Sequence, residues 1–353
     1  MHPGGALFLM AALVAASLLL RSFWERRQLR VEHYRIPAAL QTPCRIVFLS
    51  DLHSEQFGAD NARLIQAVRA LSPDLLLIGG DMITCGRKTS RPPRTGICVH
   101  LLEALSHEAP IIYAEGNHEV RFGTRFPENY AMFVQHLDQI PGLTYLHNAA
   151  VTMEAEQKGW HKAAKKSAGK AVAQQSALQA SAAKEGSSES APRKQITCFG
   201  VSVEQAYYDA LPPGLGRKKP MPASYLAEKL GKTAGRGQVG TDAVQKAQRN
   251  GVAASAGAYR ILLLHSPLYL KEVAAFGADL VLSGHFHGGT IRLPLLGGLM
   301  TPQYQFFVKE CSGLFQEGET KMIVSRGLGT HSIRIRLNDL PEISCIDLAA
   351  DAR

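Results

Sequence analysis

Paired cysteines are missing from this chain. Its six cysteines (Cys44, Cys85, Cys98, Cys198, Cys311 and Cys345) are scattered and form no C-x-x-C motif. That sets aside closely spaced thiolate ligands and fits free, buried thiols in a reducing compartment. Aromatic residues are scarce where basic ones abound: between Lys158 and Lys194 there is only Trp160. A nucleic-acid strand needs stacking platforms among its cations, so no nucleic-acid partner is expected. Charge is absent from "GGALFLMAALVAASLLL", residues 4–20. No internal repeat is present.

The uncharged run is long enough to cross a hydrocarbon core, which takes roughly 17–25 residues. Phe23 and Trp24 follow at the interface position. The run lacks the basic leader and the small-residue cleavage site of a secretory signal, since "RSFWERR" follows it directly. Residues 4–22 are therefore expected to be an uncleaved transmembrane anchor, with 23–43 as a linker. Arg21, Arg26, Arg27, Arg30 and Arg35 all follow the span. The positive-inside rule then puts the domain that follows in the cytoplasm. The net charge of +9 is also local. Residues 155–260 hold 17 Lys and Arg against 7 Asp and Glu, which leaves the rest near neutral. A solvated basic face is the simplest reading, with attraction to lipid headgroups as the alternative.

From Cys44 onward apolar runs alternate with helical spacing. "RIVFLSD", "PDLLLIGGD" and "PIIYAEGNHE" read as strands, and "NARLIQAVRALS" and "GICVHLLEALSHE" as helices. Such alternation builds a largely parallel sheet covered by helices. "TYLHNAAVTME" and "QITCFGVSV" read as a hairpin, interrupted by a low-complexity insertion at 155–195 that lacks spaced apolar residues. A second polar insertion covers 214–257. "YRILLLHSP" and "ADLVLSGHFHGG" resume the sheet, and "TKMIVSRGLGT" and "SIRIRLNDLPEISCIDL" supply late strands. The domain is expected to span 44–350.

Each clear strand ends in a polar cluster: Asp51 and His53, Asp81, Asn117 and His118, His265, then His285 and His287. Any one alone reads as a turn residue, a helix cap or a hydrogen-bonded histidine. Together, at the carboxyl ends of parallel strands, they converge on one crevice. Residues two apart on a strand share a face, which would pair Asp51 with His53 and His285 with His287.

The series D-x-H, G-D, G-N-H-E, H, G-H-x-H resembles the calcineurin-like metallophosphoesterase superfamily over roughly residues 44–348. The late "VSRGLGTHSIRIRLNDLPEI" and the apolar N-terminus are similar to its membrane-associated bacterial branch, which includes lipid-pathway pyrophosphatases. The resemblance implies a four-layer αββα sandwich within the α/β class. It implies that Asp51, His53 and His287 hold one metal, that Asn117, His265 and His285 hold a second, and that Asp81 bridges them. It makes His118 the group facing the substrate, as general acid or as stabiliser of the leaving oxygen. Two motifs depart from the pattern. Thr84 stands where many relatives carry an aspartate, and Phe286 and Thr290 alter G-H-T-H-G-G-Q.

The residue types agree with this chemistry. Two divalent ions offset by Asp51 and Asp81 leave a net charge of about +2, which suits a phosphate ester. Imidazole, carboxylate and amide oxygen without thiolate suit Mn, Fe or Zn. The expected activity is cleavage of a phosphodiester or pyrophosphate bond by metal-activated hydroxide, on a lipid-linked substrate at the membrane. Phosphomonoester hydrolysis is the alternative, and a non-catalytic scaffold the third.

Overall fold

The computed structural model describes residues 3–156, 159–162, 193–209, 218–222, 224–231, 257–330 and 334–349. It opens with helix α1 (Pro3–Glu25). A six-stranded sheet has the order β1-β15-β2-β3-β4-β5, from Arg30–Pro37, Glu342–Ala349, Cys44–Leu49, Leu75–Ile78, Ile111–Ala114 and Leu143–Leu146. A seven-stranded sheet has the order β13-β14-β10-β9-β8-β6-β7. Its strands are Gly313–Glu317, Thr320–Val324, Leu280–Ser283, Tyr259–Leu263, Gln195–Gly200, Ala149–Glu156 and Gly159–Lys162. A small hairpin, β11 (Arg292–Leu293) with β12 (Gly297–Gly298), stands apart from both.

The layering follows from alternation along strands whose two faces are both buried. In β2, Ile46 and Phe48 point into the core between the sheets, while Val47 and Leu49 face the outer helices. β3 and β4 repeat the pattern with Leu75, Leu77, Ile112 and Ala114 inward. From the second sheet, Ile261, Leu263, Leu280 and Leu282 meet them. Burial on both faces is why these strands read as unbroken apolar runs. Helices α2 (Ala62–Leu71), α3 (Gly96–Leu105), α4 (Asn117–Arg125) and α5 (Pro127–Gln139) cover the first sheet. Tyr207, Tyr225, Leu226, Tyr269 and Val273 cover the second. The result is the expected αββα order, with β2, β3 and β4 parallel.

Several local expectations are corrected. Residues 23–43 are not a free linker, because β1 lies within them and pairs in parallel with β15. The expected hairpin is split. β5 joins the first sheet, and only β6 pairs antiparallel with β8. Within the stretch read as a structureless insertion, β7 adds to β6, and Trp160 is buried in the inter-sheet core, because a large apolar ring among polar residues still gains by burial. The remainder of that insertion, 163–192, lies outside the described residues, as does 232–256 of the second. Of "SIRIRL", expected to supply a strand, Ser332 and Ile333 lie outside the described residues, and the described part is no strand. From Arg334 it runs as a loop whose Arg336 is fully buried against backbone carbonyls. All six cysteines are buried and free.

Among the described residues, α1 is the one helix long and apolar enough to cross a membrane, and its Leu7–Glu25 window is 6% buried.

Candidate metal centre

The five polar clusters meet at the strand ends, and all eight predicted residues are buried there. Donor atoms of Asp51, His53 and His287 lie within 4.8 Å of one another, as do those of Asp81, His265 and His285, and those of His53, Asp81 and His118. His265 Nε2 is 3.0 Å from Asp81 Oδ2 and 3.6 Å from Asp51 Oδ1. His287 Nε2 is 3.4 Å from Asp51 Oδ1 and 3.1 Å from His53 Nε2.

Strand pleating is not what brings these groups together. β2 ends at Leu49 and β10 at Ser283, so the pairs lie in the following loops. Asp51, His53, Asp81, His285 and His287 all have positive φ, between 46° and 71°. Left-handed backbone at a non-glycine residue costs on the order of 1–3 kcal/mol and persists where the surroundings enforce it. Here they do: Asp51 and His53 donate their N–H groups to Gly80 and Asp81 carbonyls, each at 3.0 Å. His285 and His287 consequently diverge, the first toward Asp81 and the second toward Asp51. Glycine is required where loops touch. Gly80 has φ 89° and runs against the backbone of Gly116, and a Cβ on Gly284 would collide with Asp51 Oδ2.

The hydrogen bonds on the far sides of the rings fix what each ring presents. His265 Nδ1 meets the Gly79 carbonyl at 2.7 Å, and His287 Nδ1 meets that of Gly329 at 3.2 Å. A carbonyl only accepts, so these Nδ1 atoms carry a proton, and in the neutral ring Nε2 turns a lone pair inward. Those lone pairs face carboxylate oxygens, and that of His287 also faces His53 Nε2, an arrangement that a proton or a metal cation between them relieves. The Asn117 amide oxygen adds to it, 3.2 Å from Asp81 Oδ2 and 3.0 Å from His285 Nδ1. Turning the amide would satisfy these acceptors with its NH2 group; a cation would satisfy them as they stand. The donor set therefore fits divalent metal. His118 is the reverse case: its Nδ1 accepts the Cys85 N–H at 2.8 Å, so the neutral ring presents an N–H from Nε2, 3.9 Å from Asp81 Oδ2.

Charge preferences agree. Burial alone would lower the pKa of His265, yet the Asp81 and Asp51 carboxylates raise it to about 10. Burial raises Asp51 to about 6 against the pull of His265. It works against charge on Asp81 too, but His265 and His118 hold that carboxyl well below its usual range. The site thus demands positive charge among its acceptors.

Several contributors were not singled out from sequence. Glu119 accepts from the N–H groups of Asp81 (2.8 Å), Met82 (2.9 Å) and Gly116 (3.0 Å) and from Tyr113 Oη (2.7 Å), tying the Gly-Asp loop to the start of α4. Its place three residues after the N-cap Gly116 was the available signal. Ser50 Oγ donates to Asp51 Oδ2 at 2.6 Å. Thr84 Oγ1 lies 3.4 Å from His53 Nδ1, so the departure at this position sits behind a candidate ligand. Beside the cluster opens a cleft of about 760 Å3, lined by His118, His285, Arg121, Arg87, Lys88, Gln205, Tyr208, Gln303 and Tyr304 among others. Arg121 spans it, donating to the Cys85 carbonyl and to Gln205, both at 2.6 Å. Cys85 and Cys98 bring no sulfur into any metal-competent group among the described residues.

Comparison with known proteins agrees with the geometry. A model of the calcineurin-like phosphoesterase family matches residues 44–180, which include the first three clusters but not His265, His285 or His287. An uncharacterized metallophosphoesterase of Bacillus subtilis (strain 168), YkuE, is 39% identical over 90 residues, 26% of this chain and 31% of that protein. The phosphodiesterase YaeI of Escherichia coli (strain K12) is 24% identical over 310 residues, 87% of this chain and 82% of that one. The chain thus spans about a third of YkuE but most of YaeI. Residues 44–180 are thus similar to the calcineurin-like phosphoesterase family, and the strand-end clusters and the four-layer fold agree with that similarity.

Proposed function

We propose that this chain is a dinuclear metal-dependent hydrolase that cleaves a phosphodiester or pyrophosphate bond, with its substrate carried on a lipid. One observation supports it above the others: the opposite tautomers of the buried histidines. His265 and His287 turn lone pairs inward and His118 turns a proton inward. Asp51, His53 and His287 would hold one ion, Asn117, His265 and His285 the other, and Asp81 would bridge. When bound, such a pair supplies Lewis-acid stabilisation of a phosphoryl group and lowers the pKa of a water molecule. Glu119 and Ser50 fix the carboxylates. His118, held by the Cys85 N–H, donates its Nε2 proton to the leaving oxygen. Arg121 and Lys88, with Arg87 paired to Asp209, leave the cleft wall net positive and suited to phosphate oxygens. The cleft exceeds the needs of one phosphate, which favours a second ester arm over a monoester, and the name of YaeI points the same way. The apolar α1 favours a lipid-borne arm and, by its arginines, a cytoplasmic domain.

The test is turnover by purified full-length protein, chelated and then resupplied with Mn. Bis-p-nitrophenyl phosphate, p-nitrophenyl phosphate and a diphosphate lipid in vesicles are compared. Chelation should abolish activity and Mn should restore it, with diester and lipid diphosphate preferred. Full activity at near-zero metal content would overturn the mechanism. Preference for the monoester would overturn the substrate class.

A further inference from the structure

The last turn of α1 is built into the domain. Ser22 and Glu25 are buried; Ser22 Oγ accepts the Arg336 N–H at 3.0 Å, and Glu25 Oε2 accepts that of Asp339 at 3.3 Å. Arg21 donates to Asn338 Oδ1, and Asn338 Nδ2 donates to the Arg292 carbonyl at 3.1 Å. Through Asn338 the end of the apolar helix is thus joined to the first residue of the β11–β12 hairpin. Phe23 and Trp24, exposed in the same turn, mark the level at which aromatic rings sit between water and lipid.

From Arg292 the hairpin runs through Leu293 and Pro294 to Leu295 and Leu296, then returns at Gly297. Leu295 is completely exposed and Leu296 nearly two-thirds so. Leu295 lies three residues beyond Arg292, so about 10 Å of chain separates the tip from the residue that Asn338 ties to α1. The same segment exposes Phe306 and Phe307, and Phe307 N–H is bonded to the Leu299 carbonyl at 3.1 Å. Scattered surface leucines are ordinary, but four exposed large apolar side chains within residues 295–307 are not. Arg21, Arg27 and Arg334 are exposed around the junction, a charge pattern complementary to anionic headgroups.

We infer that the Leu295–Leu296 tip, with Phe306 and Phe307, seats in the surface of the bilayer that holds α1, an anionic lipid surface being its partner. This rests on reading α1 as a bilayer segment. The seat fixes the domain at a second point. Tyr304, two residues from Phe306, lines the cleft, so the cleft mouth opens at the lipid surface.

The experiment uses full-length protein in phosphatidylcholine vesicles containing phosphatidylglycerol. An environment-sensitive fluorophore is placed at Leu296→Cys, at Leu13→Cys in α1, or at Met132→Cys. Met132 is also exposed, but on α5, which packs beside the opposite edge of the first sheet. The expected result is a blue shift and quenching by spin-labelled lipid at positions 296 and 13 and at neither for 132. Quenching at 13 without 296 overturns the hairpin seat and leaves the reading of α1 standing. Quenching at neither overturns both, and equal quenching at 132 overturns the specificity of the seat. Substrate identity does not enter the readout, so a failed lipid substrate leaves this result separately readable.

Discussion

His265 and His118 approach the same oxygen, Asp81 Oδ2, from two sides of the site, at 3.0 and 3.9 Å. Both rings are buried and both aim Nε2 inward. What separates them is the atom behind each ring, a carbonyl behind His265 and a backbone N–H behind His118. On the proposed function, one would serve as an electron-pair donor and the other as a proton donor without any difference in residue type. In that proposal a hydrogen bond behind each ring, away from the reacting centre, would assign its role.

The contrast is broken most severely by removing the shared partner. Asp81→Asn should empty the site of metal and reduce turnover by more than any single histidine change, measured by elemental analysis beside kinetics. His118→Ala should cost about 10²–10⁴-fold in rate with metal content retained. Loss of a metal in that variant would make His118 a ligand and erase the distinction from His265. Glu119→Gln comes next. One carboxylate oxygen becomes an NH2 group facing N–H donors, which loosens the loop that positions Asp81. A loss of about 10–100-fold in metal affinity or rate is expected, the range for groups supporting a ligand.

The smallest effect concerns a carboxylate–histidine pair outside the centre. Glu115 is buried and accepts from His147 at 2.7 Å and Tyr145 at 2.8 Å, and also from Ser202 and Tyr130. Burial alone would raise Glu115, but the hydrogen bond and charge of His147 bring it below its ordinary 4.5. The same hydrogen bond raises His147 above 6.5. The Glu115 contribution is present above pH 4.5 and lost as pH falls through its lowered folded value. That of His147 is complete below pH 6.5 and lost as pH rises through its raised one. The melting-temperature difference between wild type and Glu115→Gln should therefore be widest between pH 4.5 and 6.5. A pH-independent difference would show that the pair contributes shape rather than charge.

The convergence of Asp51, Asp81, Asn117, His265 and His287 was legible because strand-end position is a local property of apolar runs. The tautomers were not, since Gly79 and Gly329 are ordinary residues whose carbonyls matter only once folded. Pleating gave the wrong reason for pairing Asp51 with His53, because a positive φ at aspartate or histidine leaves no mark in sequence. Trp160 and Arg336 were misplaced for opposite causes. One is an apolar ring in a polar stretch; the other is a cation that burial normally excludes but that four nearby carbonyls accept.

The position of β15 between β1 and β2 bears on how the chain is made. Two strands that leave the ribosome within about 20 residues of each other both wait for a partner nearly 300 residues behind: Cys345 lies opposite Val47 on one side and His33 on the other. Until then β2, with Ile46, Val47, Phe48 and Leu49, is an apolar strand with one open edge, a template for pairing with the wrong chain. Closing so long a loop is slow. Residues 342–349 therefore act as a clasp, and a premature stop before them strips β1 of its neighbour in the sheet and leaves β2 prone to aggregation.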